Sequence, residues 1–102
     1  MKTFEQICRH LSVKEFEFSR HALKRAVERN ISESEIAQMA ENAELIEDYP
    51  DDKYSPSCLI LGFTRRKRPL HIQVSLADTP MVRIITLYEP DPAEWIEFRK
   101  RR

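Results

Sequence analysis

The stretch from Pro69 to Pro90 constrains the fold most, because it contains two apolar runs joined by a short polar break. The first run alternates with a period of two, which puts aliphatic side chains on one face of a strand and polar ones on the other. Its alternating residues are Leu70, Ile72, Val74 and Leu76 against His71, Gln73 and Ser75. The second run, Val82 to Tyr88, is more apolar but carries Arg83 and Thr86. The pattern predicts a β-hairpin at the centre of a small sheet, with any chemical site on its polar face.

The length of the hairpin loop decides which side chains meet, because a register change of one residue turns one strand over. A four-residue loop from Asp78 to Met81 makes Ala77 face Val82 and gathers the polar residues on one face. The pairs are then Ser75 with Ile84, Gln73 with Thr86 and His71 with Tyr88. A loop one residue longer places the polar residues of the second strand among the aliphatic ones. Segregation of polar side chains favours the shorter loop, although that register carries Val82 and Ile84 to the polar face.

Capping patterns predict three short helices before the sheet. Thr3 with Gln6, and Ser32 with Glu35, have the spacing of capping boxes, and Ser19 is a good single N-cap. With apolar residues at helical spacing, these starts predict helices over about Phe4 to Leu11, Ser19 to Arg29 and Glu33 to Glu41. Asn30 is a plausible left-handed stop between the last two. These two helices therefore form an αα-hairpin.

The second of these helices has two distinct faces. Its apolar stripe, which we expect to be buried, consists of Ala22, Leu23, Ala26 and Val27. A neighbouring flank carries a polar residue every four positions, namely His21, Arg25 and Arg29. One histidine and two arginines therefore share one side of the helix.

The remaining segments complete a predicted α+β fold. Strands are predicted over Glu44 to Tyr49 and Ser57 to Thr64, and the only glycine, Gly62, indicates a bulge or a close backbone contact. Lys14 to Phe18 is a connector or a short strand, and Asp91 with Pro92 and Glu94 predicts a C-terminal helix. The expected fold is one domain, residues 1–102. In it, about three N-terminal helices pack on one face of a curved, mostly antiparallel four-stranded sheet, followed by the C-terminal helix.

Charge is balanced over the 102 residues, with 17 basic and 17 acidic side chains, so the whole molecule is not drawn to nucleic acid or to an anionic membrane. Locally the chain is polarised. The segment from Ile31 to Asp52 has eight acidic residues and no Lys or Arg, whereas cations gather at Arg20 to Arg29, Arg65 to Arg68 and Arg99 to Arg102.

Cofactor, metal and membrane chemistry find little support in the sequence. Cys8 and Cys58 stand far apart in apolar surroundings, and with His10, His21 and His71 they show no ligand spacing. We read the cysteines as reduced thiols and expect a cytoplasmic protein with no metal and no cofactor. No apolar run resembles a signal peptide or approaches the ~20 residues of a membrane span.

The candidate site residues all have ordinary structural alternatives. His71 beside Tyr88 is a workable proton-transfer pair, but a histidine among aliphatic residues is more often structural. His21, in the first turn of a helix, is as often a plain surface residue. Arg25 and Arg83 suit a phosphate, yet either could pair with an acid. The Arg65, Arg66, Lys67, Arg68 turn is either a solvated loop or a clamp for an RNA backbone, to which Arg29 could contribute.

An ordered series of motifs resembles the domain-of-unknown-function family DUF4258. The motifs are FSRHALKRAVERNIS, ELIEDYP, PSCLILGF, RPLHIQVS and RIITLYEPDPAEW, which span about Phe16 to Trp95. The positions that match the family are His21, Ala22, Arg25, Arg29, His71, Thr86 and Tyr88. The family is similar to the RelE and BrnT toxins of type II toxin–antitoxin pairs, which implies a RelE-like fold, a metal-independent endoribonuclease and a separately encoded antitoxin as partner. No catalytic residue is carried over from RelE.

The functional expectation is cleavage of RNA by attack of a ribose 2′-hydroxyl on the adjacent phosphate. That reaction needs a base, an acid and cations for the developing charge. The expected roles are proton transfer by His71 and Tyr88, assisted by His21, and charge stabilisation by Arg25 and Arg83. The alternative is a non-catalytic domain that binds protein or RNA. The acidic segment favours this alternative because it would repel RNA and attract a basic partner.

Overall fold

The computed structural model describes residues 1–102 and confirms an α+β fold. Helices α1, α2 and α3 cover Phe4–Ser12, Arg20–Glu28 and Glu33–Ala40. The strands are β1 Phe16–Phe18, β2 Glu44–Tyr49, β3 Ser57–Phe63, β4 Pro69–Ser75, β5 Val82–Tyr88, β6 Trp95–Ile96 and β7 Lys100–Arg101. The main sheet has five strands in the order β1-β5-β4-β3-β2, and β6 and β7 form a separate hairpin.

The prediction of a mostly antiparallel four-stranded sheet is wrong in its number of strands, because β1 adds a fifth strand parallel to β5. The four predicted strands do pair antiparallel. In the pairing of β1 with β5, Phe16 and Phe18 lie beside Val82 and Ile84. A three-residue strand has too short an alternation to be told from a connector in the sequence. Its pairing with a strand more than 60 residues away is a tertiary contact that no local pattern reports.

Side-chain caps start the helices where the sequence predicts them. The Thr3 hydroxyl accepts from the Gln6 amide at 3.2 Å, and the Gln6 side chain accepts from the Thr3 amide at 2.8 Å. Ser32 and Glu35 repeat this capping box at the start of α3. Ser19 caps α2 alone, and the predicted left-handed stop is confirmed, since Asn30 has φ of 54°.

The predicted buried stripe of α2 is half wrong. Ala22 and Ala26 are buried, but Leu23 is 53% exposed and Val27 is 75% exposed. The two alanines turn the helix toward β5 and β1 at the edge of the sheet, where no further element covers its outer side. The spacing of the apolar residues correctly predicted a helix, but the fold buries only two of the four apolar side chains in the predicted stripe.

The core lies between the three helices and one face of the sheet, and Gly62 sets the closest approach between these layers. A Cβ atom at Gly62 would collide with the carbonyl oxygen of Met39 and lie 2.9 Å from its carbonyl carbon. The predicted close backbone contact is therefore confirmed. It allows the end of α3 to pack directly on β3.

An extra residue in β5 settles the register of the central hairpin. His71 faces Tyr88 and Gln73 faces Thr86, as the shorter loop predicts. The predicted pair of Ser75 with Ile84 is wrong, because a β-bulge shifts the register so that Val74 faces Ile84. The bulge leaves Thr86 and Tyr88 on the outer face of the sheet and turns Val82 and Ile84, both 0% exposed, into the core.

The predicted C-terminal helix is wrong. Asp91 caps a single turn, in which its side chain accepts from the Ala93 amide at 2.9 Å, and the chain then forms the β6–β7 hairpin. Glu97 and Phe98, with φ of 52° and 62°, make the tight turn of that hairpin. Contacts with the outer face of the sheet override the local helix signal here. The ring of Phe98 packs on Phe63.

We expect Gly62→Ala to lower the free energy of unfolding by about 3 kcal/mol, because the added methyl group must push α3 away from β3. Urea denaturation measures this change. Ser34→Ala, at an exposed position of α3, is the control and should change stability by no more than about 0.5 kcal/mol. Equal stabilities of the two variants would contradict the close packing.

Candidate functional site

His71 lies at the centre of a buried cluster on the outer face of the sheet. Its Nδ1 is 3.2 Å from the Tyr88 hydroxyl, and its Nε2 is 2.6 Å from the carbonyl oxygen of Phe98. The ring of Trp95 meets the imidazole edge to face at a centroid distance of 4.5 Å. The imidazole is 0% exposed. Both of its nitrogens are therefore occupied, and no solvent reaches the ring.

The partners of His71 fix its tautomer. Burial lowers the pKa of His71, so the ring is neutral near pH 7. The Phe98 carbonyl can only accept, so Nε2 carries the proton and Nδ1 accepts from the Tyr88 hydroxyl. Burial also raises the pKa of Tyr88. The predicted pair exists, but in this conformation it is a closed chain of hydrogen bonds linking β4, β5 and the C-terminal hairpin.

Ion pairs fasten the C-terminal hairpin over this cluster. Arg101 lies 2.8 Å from the Glu47 carboxylate and stacks on the Trp95 ring at 4.6 Å. The hydrogen bond from Arg101 lowers the pKa of Glu47, while burial and the contact with Glu47 raise the pKa of Tyr49 to about 12. Arg99 adds a second pair with Glu44 at 2.7 Å. The basic tail thus neutralises part of the acidic segment.

A separate, open cleft of about 450 Å³ lies between the start of α2, the outer face of β5 and the loop from β2 to β3. It brings together two of the predicted site residues, His21 and Arg83. The other lining residues are Ser19, Asp52, Tyr54, Ser55, Ser75 and Ile85. The cleft thus combines an imidazole and a guanidinium with several hydroxyl groups.

Hydrogen bonds position both walls of this cleft. On one side the Ser19 amide donates to the Ile84 carbonyl at 3.0 Å, and its hydroxyl donates to the Ile85 carbonyl at 3.1 Å, which fixes the first turn of α2 beside β5. On the other side Asp52 accepts from the Ser57 hydroxyl at 2.6 Å and the Gln73 amide at 3.3 Å. These bonds tie the loop to the outer face of the sheet.

Tyr54 and Arg83 are the accessible groups at the mouth of the cleft. Tyr54 is 89% exposed, and the Lys53 ammonium lies 5.6 Å from the centre of its ring. Arg83 pairs with Glu17 at 3.3 Å, but both side chains are about half exposed, so water weakens this pair. An incoming anion can therefore compete for the Arg83 guanidinium.

The other predicted cations lie outside the cleft. Arg25 pairs with Glu28 at 2.7 Å, and this bond lowers the pKa of Glu28. Arg29 donates to the Leu87 carbonyl at 2.7 Å. Both residues are on the predicted flank of α2, but neither lines the cavity that holds His21.

The basic turn between β3 and β4 is only partly available for RNA. Arg68 pairs with Glu35 at 3.0 Å and with Glu89 at 2.8 Å, and it also donates to two backbone carbonyls at the end of α2. Arg65 pairs with Glu41 at 2.9 Å. Only Arg66 and Lys67 are exposed without an acidic partner. The turn lies about 20 Å from the cleft, since a seven-residue strand separates them.

A comparison with protein families decides the family of this chain. The profile of the domain of unknown function DUF4258 matches residues 18–89. The chain belongs to the DUF4258 family. No curated protein and no solved structure matches the chain, so the similarity to RelE and BrnT toxins stays a prediction.

The matched region of DUF4258 includes every residue that lines the cleft, together with His71 and Tyr88 of the buried cluster. It leaves Trp95, Phe98 and the rest of the C-terminal hairpin outside. Within this structure, none of the three helices has the length and apolar character of a membrane span. No group of three or more His, Cys, Asp or Glu side chains is placed to hold a metal ion.

Sequence reasoning identified only two of the eight residues that line the cleft in this DUF4258 chain, namely His21 and Arg83. Asp52, Tyr54 and Ser55 belong to the loop between β2 and β3, for which the sequence predicts neither a helix nor a strand. Ser75 was predicted only as a polar position of the hairpin. Nothing local indicates that this loop faces the start of α2. The one usable signal was the polar alternation of β4, which correctly marks the face on which the cleft lies.

We expect the free energy of unfolding to fall between pH 7.5 and pH 5.5 because of His71. The pKa of His71 is lower in the folded chain than its ordinary value of 6.5. As the pH falls through this range, the imidazole therefore binds a proton more readily in the unfolded chain than in the folded one. Protonation therefore favours unfolding as the pH falls. His71→Gln should be less stable at pH 7.5 but show a flatter pH dependence, as measured by urea denaturation at both values. Identical slopes for the two proteins would contradict a buried neutral His71.

Proposed function

We propose that this protein is a metal-independent endoribonuclease whose reacting phosphate occupies the cleft between α2 and the loop from β2 to β3. The observation that supports this proposal is that His21 and Arg83 line the same open cavity. Strand scission through the 2′-hydroxyl requires a proton acceptor and a cation at one phosphate, and needs no metal. These two residue types meet that requirement.

His21 is the general base in this mechanism. Imidazole accepts and returns protons near neutral pH, and His21 is exposed at the first turn of α2, where substrate can reach it. It removes the proton of the 2′-hydroxyl as that oxygen attacks phosphorus. A 2′,3′-cyclic phosphate forms, the bond to the 5′-oxygen breaks, and this oxygen takes a proton from solvent at the open mouth of the cleft.

Arg83 stabilises the charge that builds on the phosphate oxygens. A guanidinium presents two parallel N–H donors, which match two phosphate oxygens. Its exposed pair with Glu17 is weak, so exchange of the carboxylate for a phosphate costs little. Tyr54, at the mouth, offers a ring on which a base can stack.

The proposal moves the proton-transfer role from His71 to His21 because of accessibility. His71 and Tyr88 are bonded to each other under the C-terminal hairpin, and His71 is 0% exposed. Their proposed role is to hold β4, β5 and that hairpin together. Arg66 and Lys67 remain available to hold an RNA strand that extends beyond the cleft, in a sequence-independent manner.

The proposed cellular role is that of the toxin in a type II toxin–antitoxin pair. Unregulated cleavage of RNA would arrest growth, and a separately encoded antitoxin protein would relieve it. The support for this role is the resemblance of the family to RelE and BrnT toxins. Expression of the chain with and without the product of the adjacent gene tests it, and growth at the normal rate in both cases would contradict it.

We expect His21→Ala to lower the rate of RNA cleavage by about 100-fold or more, which is the usual effect of removing a general base. Arg83→Ala should reduce the rate by about 10-fold to 100-fold through loss of charge stabilisation. The assay follows a fluorescent single-stranded RNA in the presence of EDTA, and identifies the cyclic phosphate on the product. The matched controls are His10→Ala and Arg9→Ala, which remove the same groups on α1, outside the cleft.

Three results would contradict this mechanism. Cleavage that EDTA abolishes would require a metal. Cleavage of an RNA whose 2′-hydroxyls are methylated would show that the 2′-hydroxyl is not the attacking group. Full activity of His21→Ala, with loss of activity in a folded Tyr88→Phe variant, would return the chemistry to the His71 cluster.

The second candidate function is a non-catalytic binding domain, and the use of its cations inside the fold favours it. Of the five predicted RNA contacts, Arg65 and Arg68 pair with acids of the same chain and Arg29 donates to the Leu87 carbonyl, which leaves only Arg66 and Lys67 free. Such a domain would bind RNA or a protein without cleaving RNA. Binding of an intact RNA that remains uncut by pure protein would support this candidate over the enzyme.

A further inference from the structure

Asp52 is the only acidic side chain that lines the cleft, and none of its hydrogen bonds comes from a cation. Its Oδ2 accepts from the Ser57 hydroxyl at 2.6 Å and from the Gln73 side-chain amide at 3.3 Å. The one hydrogen bond to its Oδ1, from the Tyr54 backbone amide, is long at 3.4 Å. Neutral donors therefore hold the carboxylate in place and leave its Oδ1 able to accept from a ligand.

One side of the cleft suits an anion, and the opposite side carries one. His21 and Arg83 belong to the side formed by α2 and β5, whereas Asp52 lies over β3, where it is bonded to Ser57. Ser75 of β4, which pairs with Ser57, lies between the two sides. Two strand spacings separate β5 from β3, which places their backbones about 10 Å apart. A single nucleotide spans a similar distance from its phosphate to the far edge of its base.

Among the four RNA bases, guanine presents the most favourable edge to a carboxylate. Its N1–H and the amino group at C2 are adjacent donors on the Watson–Crick edge. In adenine and cytosine the amino group adjoins a ring nitrogen with a lone pair, and in uracil the N3–H lies between two carbonyl oxygens. Each of those acceptors would face Asp52, whose carboxylate can only accept hydrogen bonds. The carboxylate therefore favours guanine over the other three bases.

Tyr54 supplies the surface on which the base stacks. Its ring is 89% exposed and follows Asp52 by two residues in the same loop. Stacking on an aromatic ring stabilises every base to a similar extent, so Tyr54 contributes affinity and Asp52 contributes selectivity.

From this arrangement we infer that the cleft selects guanosine, with the Watson–Crick edge of guanine at Asp52 and the 3′-phosphate at Arg83. This inference rests on the proposed function, because the selected guanosine is the nucleotide whose 2′-hydroxyl attacks its own 3′-phosphate. RNA is accordingly cut on the 3′ side of guanosine.

Calorimetric titration of the full chain with the 3′-monophosphates of the four nucleosides tests this inference without any cleavage. Guanosine 3′-monophosphate should bind at least about tenfold more tightly than the other three. Inosine 3′-monophosphate, which lacks the amino group at C2, should lose most of this advantage. Equal affinities for the four nucleotides, or no detectable binding of any of them, would overturn the inference.

The position of the phosphate distinguishes RNA from a free guanine nucleotide as the source of the base. Guanosine 5′-monophosphate has the same base but carries its phosphate on the other side of the ribose, so it should bind more weakly than the 3′-monophosphate. Tighter binding of the 5′-monophosphate would assign the cleft to a free nucleotide and overturn the inference.

Substitutions in the loop separate selectivity from affinity. Asp52→Asn should reduce the preference for guanosine 3′-monophosphate by about tenfold, because the neutral amide turns donor hydrogens toward the donors of guanine. Tyr54→Ala should weaken the binding of all four nucleotides to a similar extent. The matched control is Asp51→Asn, which makes the same change one residue away, outside the cleft, and should bind like the parent. A folded Asp52→Asn variant that keeps the full preference overturns the role of Asp52.

Mapping the cut sites in a single-stranded RNA distinguishes a failure of this inference from a failure of the proposed function. Cuts that follow all four nucleotides equally would overturn the selection of guanosine and leave the proposed enzyme in place. Selective binding of guanosine 3′-monophosphate by a protein that leaves RNA uncut would support the selection and overturn the proposed cleavage.

Discussion

The β-bulge in β5 is the constraint on which the rest of the structure depends. One strand must supply Val82 and Ile84 to the core and also present Thr86 and Tyr88 on the opposite face. A regular strand cannot do both with these residues, because alternation places all four on the same side. The extra residue between the two pairs, Ile85, reverses the phase of the strand. It also lines the cleft beside Ser19 and Arg83.

The outer face created by the bulge has two parts with different physical character. Around His71 it is dry and closed, since the hairpin of β6 and β7 covers the ring and Phe98 and Tyr88 take up its nitrogens. Around Arg83 it is open and lined with hydroxyl, carboxylate and imidazole groups. A buried neutral imidazole supports packing, whereas an accessible one can exchange protons with a substrate. This contrast in exposure is why the proposed chemistry centres on His21.

Much of the fold could be predicted from the sequence where the determining interactions are local. The caps at Thr3, Ser19 and Ser32 and the left-handed Asn30 follow from short-range chemistry. The close contact at Gly62 is with Met39 of α3, and only the presence of a single glycine within a predicted strand indicated it. The pairing of His71 with Tyr88 was also predicted, from the polar alternation of the two strands. The bulge was not predicted. The sequence did show that a regular strand would place Val82 and Ile84 on the polar face with Thr86 and Tyr88, and this conflict is the reason that a bulge is needed.

The features that sequence reasoning did not find depend on distant contacts. The sequence predicts a helix from Asp91, but a β-hairpin forms there instead. The packing of Trp95 and Phe98 on the sheet and the ion pairs between the tail and β2 stabilise this hairpin. Those pairs also explain why a chain so polarised in sequence is balanced in space, since Arg99 and Arg101 neutralise Glu44 and Glu47. The cleft joins residues from the start of α2, the loop after β2 and both central strands. Only the folded topology brings these segments together.

The location of bound RNA is the most direct test of the account. Backbone amide shifts in a two-dimensional NMR spectrum would be followed while a short RNA with 2′-O-methyl groups, which cannot be cleaved through that hydroxyl, is added. The account predicts that the largest changes cluster at residues 19–21, 52–55 and 83–85. Changes confined to residues 65–68, or centred on His71 and the C-terminal hairpin, would contradict it.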